Sequence, residues 1–270
     1  TRFQQFSTAN WPLQLPDNLI HIDADPTVIG RNYPATHPVI ADAHEALRAL
    51  AAALPDLAAD LESSRSNHLQ TGRKTADEAL AVIAEHTGPD HSAICAAINR
   101  HRPQRGVVVR DATVPAYVWG ETLLSVQEPR TSIRSTAAGI GPGLPLAIGA
   151  ALGTDEHTVL MQGDGGSMLS IGELATAVQY QARVIICMFN DNGYQMLRNI
   201  GRMVGEPSNG VELTTPRFTA LAEAFGANSV FVDTPESFES AFVDALAYSG
   251  PTLIEIDMKS LSPLTFPIVG

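Results

Sequence analysis

Between residues 106 and 258, five short apolar runs alternate with stretches of helical spacing. The runs are "GVVVRDA", "HTVLMQGDG", "ARVIICMFNDN", "NSVFVDT" and "PTLIEIDM". Between them lie "GLPLAIGAALG", "SIGELATAVQYQ", "RFTALAEAFGA" and "PESFESAFVDALAYSG", in which apolar residues recur at three- and four-residue intervals. Strands apolar on both faces cannot lie open to water. The pattern therefore predicts an α/β fold, a parallel sheet with helices on both faces. There is no internal repeat and no low-complexity segment.

Upstream, "NLIHIDAD" reads as a strand that stops at Pro26, and "HEALRALAAALPDL" has helical spacing up to Pro55. Residues 1–66 are expected to form a partial α/β domain with few elements of its own. The stretch "ESSRSNHLQTGRKT" is polar and without periodicity, which marks it as the expected boundary, with Gly72, Arg73 and Lys74 as a solvated linker patch. Two helical patterns, "ADEALAVIAEHTG" and "HSAICAAINRH", then open a second domain over 75–270. The first residue is Thr1 and the last residues, "LSPLTFPIVG", carry no polar tail, so the chain is expected to be a piece of something longer.

The 270 residues are enough to bury a substantial core. Charged residues make up 17%, below the roughly 25% of ordinary globular chains, which suggests that subunit interfaces cover part of the surface, as in a homodimer or homotetramer. The formal charge of -12, without a basic run, argues against a nucleic-acid partner. No apolar run reaches membrane-spanning length. Cys95 and Cys187 lie in apolar settings without metal or redox spacing and read as reduced core thiols, which suits the cytoplasm. The eight histidines are scattered, with no pair at metal-ligand spacing, and none is assigned a role in catalysis.

Ligands of parallel sheets bind at the carboxyl ends of the strands, and two of those ends are unusual. "TVLMQ" runs into Gly163-Asp164-Gly165-Gly166, and "VIICMF" into Asn190-Asp191-Asn192-Gly193. Glycines let a ligand approach the backbone and meet its N–H groups, which suits a phosphate. A carboxylate beside a phosphate would repel it unless a cation lies between them. Mg²⁺ is the hard, oxygen-seeking ion that bridges the two. Asp164, Asp191 and the carbonyl of Gly193 would supply three protein oxygens, leaving room for two phosphate oxygens and a water. The competing reading of either aspartate alone is an ordinary turn residue. A nicotinamide or mononucleotide site is a further competitor, but "GIGPGLPLAIGA" has Gly-x-Gly-x-Gly and no acid about 20 residues on. Ser170 followed by Glu173 has the spacing of a capping box, which predicts a helix starting near Ile171.

The stretch "GDGGSMLSIGELATAVQYQARVIICMFNDNGY" resembles the thiamine-diphosphate fingerprint, Gly-Asp-Gly, a spacer (here residues 166 to 189) and Asn-Asn. "AGIGPGLPLAIGA" resembles the segment that precedes it in the same enzymes. The similarity is to the acetolactate synthase and benzoylformate decarboxylase branch and runs from about Thr75 to Met258, with "LIHIDADPTVIGRNYPATHPVIADAHEALRAL" similar to the second half of that family's central domain.

The resemblance implies a thiamine-diphosphate-binding fold and a lyase or transferase that decarboxylates a 2-oxoacid through an enamine, which is protonated or added to a second carbonyl. It assigns Asp164 to the metal, and Gly163 and the backbone of Gly165, Gly166 and Ser167 to the diphosphate. Asp191 falls at the second Asn of the pair, a departure that keeps an oxygen ligand and adds a charge. Gly193 matches the carbonyl that completes the metal site, and Tyr194 opens the next helix on the substrate side. Ile140 falls at the bulky position that holds the cofactor bent, with core packing as its plainer alternative. The carbonyl of Ala138 would accept from the aminopyrimidine amino group. The activating glutamate is expected from an N-terminal domain that nothing upstream of Thr75 resembles, so no catalytic side chain is assigned in this chain. Glu173 is not a substitute. A flavin stays open, since some relatives bind one and only half of the central domain is matched. Acetolactate synthase-like chemistry is the first expectation. A benzoylformate-type decarboxylase, or a non-catalytic cofactor-binding and dimerisation module needing a partner polypeptide, are the alternatives.

Overall fold

The structure is a computed structural model and describes residues 12–57, 62–136, 139–154 and 156–264. It divides into two compact units, one ending at Ala76 and the other beginning at Asp77.

In the first unit, β1 (Ile20–Asp23) pairs in parallel with β2 (His37–Ile40), and α1 (Ala43–Leu57) follows. The second unit is built on a six-stranded, all-parallel sheet in the order β4-β3-β5-β6-β8-β7. Its strands are β3 (Val108–Arg110), β4 (Ser132–Arg134), β5 (Thr158–Gly163), β6 (Val184–Asn190), β7 (Asn228–Val232) and β8 (Thr252–Asp257). Five of the six are the runs read from the sequence. β4 is the addition: a three-residue edge strand with one partly buried apolar residue, Ile133, leaves no apolar run to detect.

Successive side chains of one strand point to opposite faces, and both faces are covered. Ile185, Cys187 and Phe189 of β6 pack on one side with Ile94 and Ile98 of α3 (Pro89–His101), Phe238 and Phe242 of α9 (Pro235–Ala247), and Trp119. Val184, Ile186 and Met188 pack on the other with Leu144 and Ile148 of α4 (Gly143–Leu152), Leu174 of α6 (Leu174–Gln179) and Phe218 of α8 (Phe218–Phe225). The predicted parallel sheet with helices on both faces is thus present. Both cysteines are free and buried, and apolar burial raises their thiol pKa, that of Cys95 to about 12.

Two local expectations are corrected. "ESSRSNHLQTGRKT" is not an irregular linker: it belongs to α2 (Glu62–Thr87). The described side chains from Arg65 to Val82 are all exposed, so no buried stripe imposed a period, and no proline interrupts the stretch. The capping box at Ser170 is also absent. Ser170 makes no capping bond, and Glu173 instead accepts a hydrogen bond from Thr176 at 2.9 Å. The chain passes through a single 3₁₀ turn, Ile171–Glu173, before α6 begins at Leu174. Among the described residues, no helix is long and apolar enough to cross a membrane.

Candidate functional site

From β3 the chain moves outward to β4, whereas from β5 it moves the other way to β6. The strand order therefore reverses between β3 and β5, where a crevice opens at the carboxyl ends. A cavity of about 390 Å³ lies there. Its walls come from several strand ends: Thr113 and Val114 after β3, Gly163 at the end of β5 and Asp164 to Gly166 after it, Asp191 and Gly193 to Leu197 after β6, and Met258 after β8.

Asp164 is the first residue of α5 (Asp164–Ser167), a single helical turn that follows β5 without a loop. Its carboxylate is buried, and Oδ2 accepts the backbone N–H of Gly193 at 2.8 Å. Burial, and next the negative charge of Asp191, push its pKa up to about 7, opposed by the N–H groups of Gly165 and Gly193. Asp191 is buried too, and burial raises its pKa, with Arg198 as the main opposing influence. Arg198, on α7 (Gln195–Val204), reaches back to Asp191 Oδ2 at 2.6 Å.

Backbone geometry brings these groups together. Asn192 takes a left-handed conformation, φ +60, which an asparagine tolerates. Its N–H donates to Asn190 Oδ1 at 3.1 Å, closing a tight Asx turn. Asn190 Nδ2 in turn donates to the buried Glu255 on β8, whose other oxygen accepts the N–H of Thr219. The segment after α7 clamps the turn: Tyr194 N–H donates to the Val211 carbonyl, and Leu213 N–H to that of Asn192.

Two glycines are required by close approach. A Cβ on Gly165 would lie 2.5 Å from Tyr194 Cε1, and one on Gly193 would run into the Val211 carbonyl oxygen, with Arg198 Nη2 next at 2.5 Å.

Gly163, Asp164, Gly165, Gly166, Asp191, Gly193, Tyr194 and Ile140 all line the cavity. Ser167 does not. It is fully buried and its hydroxyl donates to Met188 Sδ at 2.9 Å, within the core. Ile140 is 41% exposed at the cavity wall. Ala138 lies outside the described residues.

Asp111 was not anticipated. It follows β3, is buried, and accepts from Gly141 N–H at 3.0 Å and from Gln162 Nε2 at 2.8 Å. It fixes the glycine turn before α4 against the β5 end. An acid directly after "VVVR" was the available signal, the same one that marked Asp164. Tyr117, in a π-helical turn over Ala116–Gly120, also lines the cavity and carried no sequence signal, nor did Arg198, seven residues from its partner.

The arrangement suits a hard divalent cation. Two buried carboxylates stand close enough to perturb one another, each with one oxygen tied by the protein, Asp164 by Gly193 and Asp191 by Arg198. Among the described residues, no group of three or more His, Cys, Asp or Glu side chains is placed to hold a metal, so a cation here would take further oxygens from main chain and ligand.

The thiamine pyrophosphate enzyme C-terminal TPP-binding domain matches residues 115–256, and the central domain of the same enzymes matches residues 1–50. The chain is 28% identical over 252 residues to the acetolactate synthase isozyme 3 large subunit of Escherichia coli, covering 91% of this chain and 44% of that protein. It is 30% identical over 252 residues to a probable 2-ketoarginine decarboxylase of Pseudomonas aeruginosa, covering 90% and 43%. It thus spans less than half the length of these relatives. The thiamine diphosphate-dependent 4-hydroxybenzoylformate decarboxylase of Rhodococcus jostii shares the fold, with a TM-score of 0.70 and 24% identity over 89% of this chain and 44% of that one. With the sheet, the crevice and these matches in agreement, the chain belongs to the thiamine pyrophosphate enzymes, among relatives that include acetolactate synthases and benzoylformate decarboxylases.

Proposed function

We propose that this chain carries the diphosphate and metal half of a thiamine-diphosphate- and Mg²⁺-dependent 2-oxoacid decarboxylase or carboligase, acetolactate synthase-like in its chemistry. The observation that carries the reading is the pair of buried carboxylates, Asp164 and Asp191, on adjacent strand ends beside a glycine turn. Bound there, the cofactor supplies the carbon that attacks the 2-oxoacid and stabilises the charge left when carbon dioxide departs. The chain's residues do the holding. Asp164, Asp191 and the Gly193 carbonyl would bind Mg²⁺, and Gly165 and Gly166 leave room for the diphosphate at the cavity wall. Ile140, Val114, Phe189, Met196 and Met258 give the cavity an apolar wall that limits water around the reacting carbon. Ile140 is proposed to hold the cofactor bent and Tyr194 to stand on the substrate side. The activating glutamate, on this reading, comes from a separate pyrimidine-binding domain, in a homodimer or homotetramer. Two buried free thiols suit a reducing compartment such as the cytoplasm.

The test is 2-oxoacid consumption by this chain combined with the pyrimidine-binding domain that carries the glutamate, with thiamine diphosphate and Mg²⁺, supplying pyruvate and benzoylformate separately and assaying carbon dioxide and acetolactate together. Carbon dioxide with acetolactate supports the carboligase, and carbon dioxide alone a simple decarboxylase. No consumption of either acid contradicts the reading.

A further inference from the structure

We propose that Arg198 is the counter-charge that allows an aspartate to stand at position 191, where the fingerprint has an asparagine, so that the site meets a divalent cation with the net charge of one carboxylate. The proposal rests on the metal–diphosphate reading above. The guanidinium grips Asp191 twice: Nη2 lies 2.6 Å from Oδ2 and 3.3 Å from the main-chain carbonyl of the same residue. The pair is nearly enclosed, with side-chain exposures of 19% and 11%. Screening by water is therefore weak and the positive charge acts at close to full strength on its partner.

The surroundings are arranged around that guanidinium. A side chain at 193 would strike the Val211 carbonyl oxygen and next Nη2, so the glycine there lets that segment and the guanidinium both close on the turn. On its other side, Nε stands 3.4 Å from Glu212, an exposed carboxylate, and has no hydrogen-bond partner of its own. A second cation flanks the same turn, Lys259 Nζ lying 2.6 Å from Asn192 Oδ1. Holding Oδ2 also fixes the rotation of the Asp191 carboxylate. Arg198 is thus a positioning residue that fixes both the charge and the orientation of Asp191.

Charge alone then orders a set of variants. Mn²⁺ serves as a paramagnetic probe, titrated into the full chain at pH 8 without cofactor and followed by electron paramagnetic resonance. Arg198→Gln leaves two uncompensated carboxylates and should bind Mn²⁺ more tightly than the parent, on the order of tenfold. Asp191→Asn should bind it more weakly by a similar factor. The double variant Asp191→Asn/Arg198→Gln and the single variant Arg198→Lys both keep the parent's net charge and should stay within a few-fold of it. Thiamine diphosphate at saturating Mg²⁺ should respond in the opposite sense, Arg198→Gln binding it more weakly because its phosphates meet an extra negative charge. A merely structural arginine predicts otherwise: Arg198→Gln would weaken Mn²⁺ binding and the double variant would be no better, and that result overturns the proposal. Should Arg198→Gln not fold by circular dichroism, the double variant and Arg198→Lys carry the test, and a departure of more than about tenfold in both overturns it. Asp164→Asn is the independent control. Loss of Mn²⁺ binding there, with Arg198→Gln unchanged, sinks this proposal alone, whereas unchanged binding in Asp164→Asn sinks the metal site itself.

Discussion

The backbone N–H of Gly193 donates to Asp164 Oδ2 at 2.8 Å, joining the end of β6 to the end of β5 across the floor of the cavity. One bond fixes the rotamer of one candidate metal ligand and the position of another. It also explains why the two motifs work as a unit although residues 166 to 189 separate them in the chain: adjacent parallel strands, with Gly163 level with Phe189, bring their carboxyl ends together.

Gly165 is the tightest steric point of that unit. Gly165→Ala would drive a methyl into the ring of Tyr194 and cost about 1–3 kcal/mol if the ring cannot move. We expect thiamine diphosphate affinity to fall by about tenfold or more, with the circular dichroism spectrum unchanged, and Gly165→Ala/Tyr194→Ala to recover part of the loss. Equal affinities for all three proteins would mean that the turn has slack that the structure does not show.

The buried carboxylate pair gives the metal-free chain a specific pH response. The folded-state pKa of Asp164 is raised by burial and by Asp191 to about 7, above its value of 3.8 in an open chain. Between these values the native state holds more protons than the unfolded state. The contribution is therefore fully present below about pH 4 and is lost as pH rises through about 7. Asp164→Asn should remove this fall, so the stability difference between variant and parent widens in favour of the variant from pH 4 to 8. Urea midpoints measured in EDTA at several pH values check it, and a constant difference would contradict it.

His91 predicts the opposite slope. It is fully buried, accepts from Trp119 Nε1 at 3.3 Å, and its pKa is lowered by burial to about 4. Between that value and 6.5 the unfolded chain binds the proton and the native state does not, so stability falls as pH drops through this window. His91→Phe should flatten the acid limb of the stability profile while losing a little stability near neutrality through the unpaired indole N–H. An unchanged acid limb would show that His91 takes its proton inside the fold.

Helix caps separate two serine/threonine sites that look alike in sequence. Thr234 accepts from Ser237 N–H at 3.2 Å, and Ser237 Oγ is within reach of the Thr234 N–H in return, a true capping box at the start of α9. Thr234→Ala should cost about 1 kcal/mol. Ser170 makes no such bond and its hydroxyl is buried without a partner, so Ser170→Ala should be neutral or slightly stabilising. Denaturant midpoints of the two variants decide the matter, and equal losses would contradict the assignment.

The contrast shows where the sequence was legible. Ser170 and Glu173 carry the textual signature of a box, but the turn leaving Ser167 enters a 3₁₀ stretch and the spacing is never used, whereas Thr234 pairs with a serine that the usual pattern omits. Strands such as Val184–Asn190 were readable because burial on both faces forces an unbroken apolar run. β4 was not, since an edge strand needs no such run, and the first half of α2 was not, since a helical stretch with exposed side chains imprints no period, whereas its second half, "ADEALAVIAEHTG", did read as a helix. At the site, residues named by their place at strand ends, Asp164, Asp191 and the glycines between, do line the cavity, while Ser167 turns into the core. Asp111 and Arg198 act through contacts formed only after folding, across the sheet and back from α7, and a linear pattern does not display those distances.

The central claim is that the carboxyl ends of β5 and β6 hold a diphosphate through a divalent cation. Calorimetric titration of thiamine diphosphate into the chain, with Mg²⁺ and again with EDTA, tests it directly when NAD is run as the control ligand. The account predicts heat from thiamine diphosphate only when Mg²⁺ is present and none from NAD. Binding that survives EDTA, or binding of NAD in place of thiamine diphosphate, would contradict it.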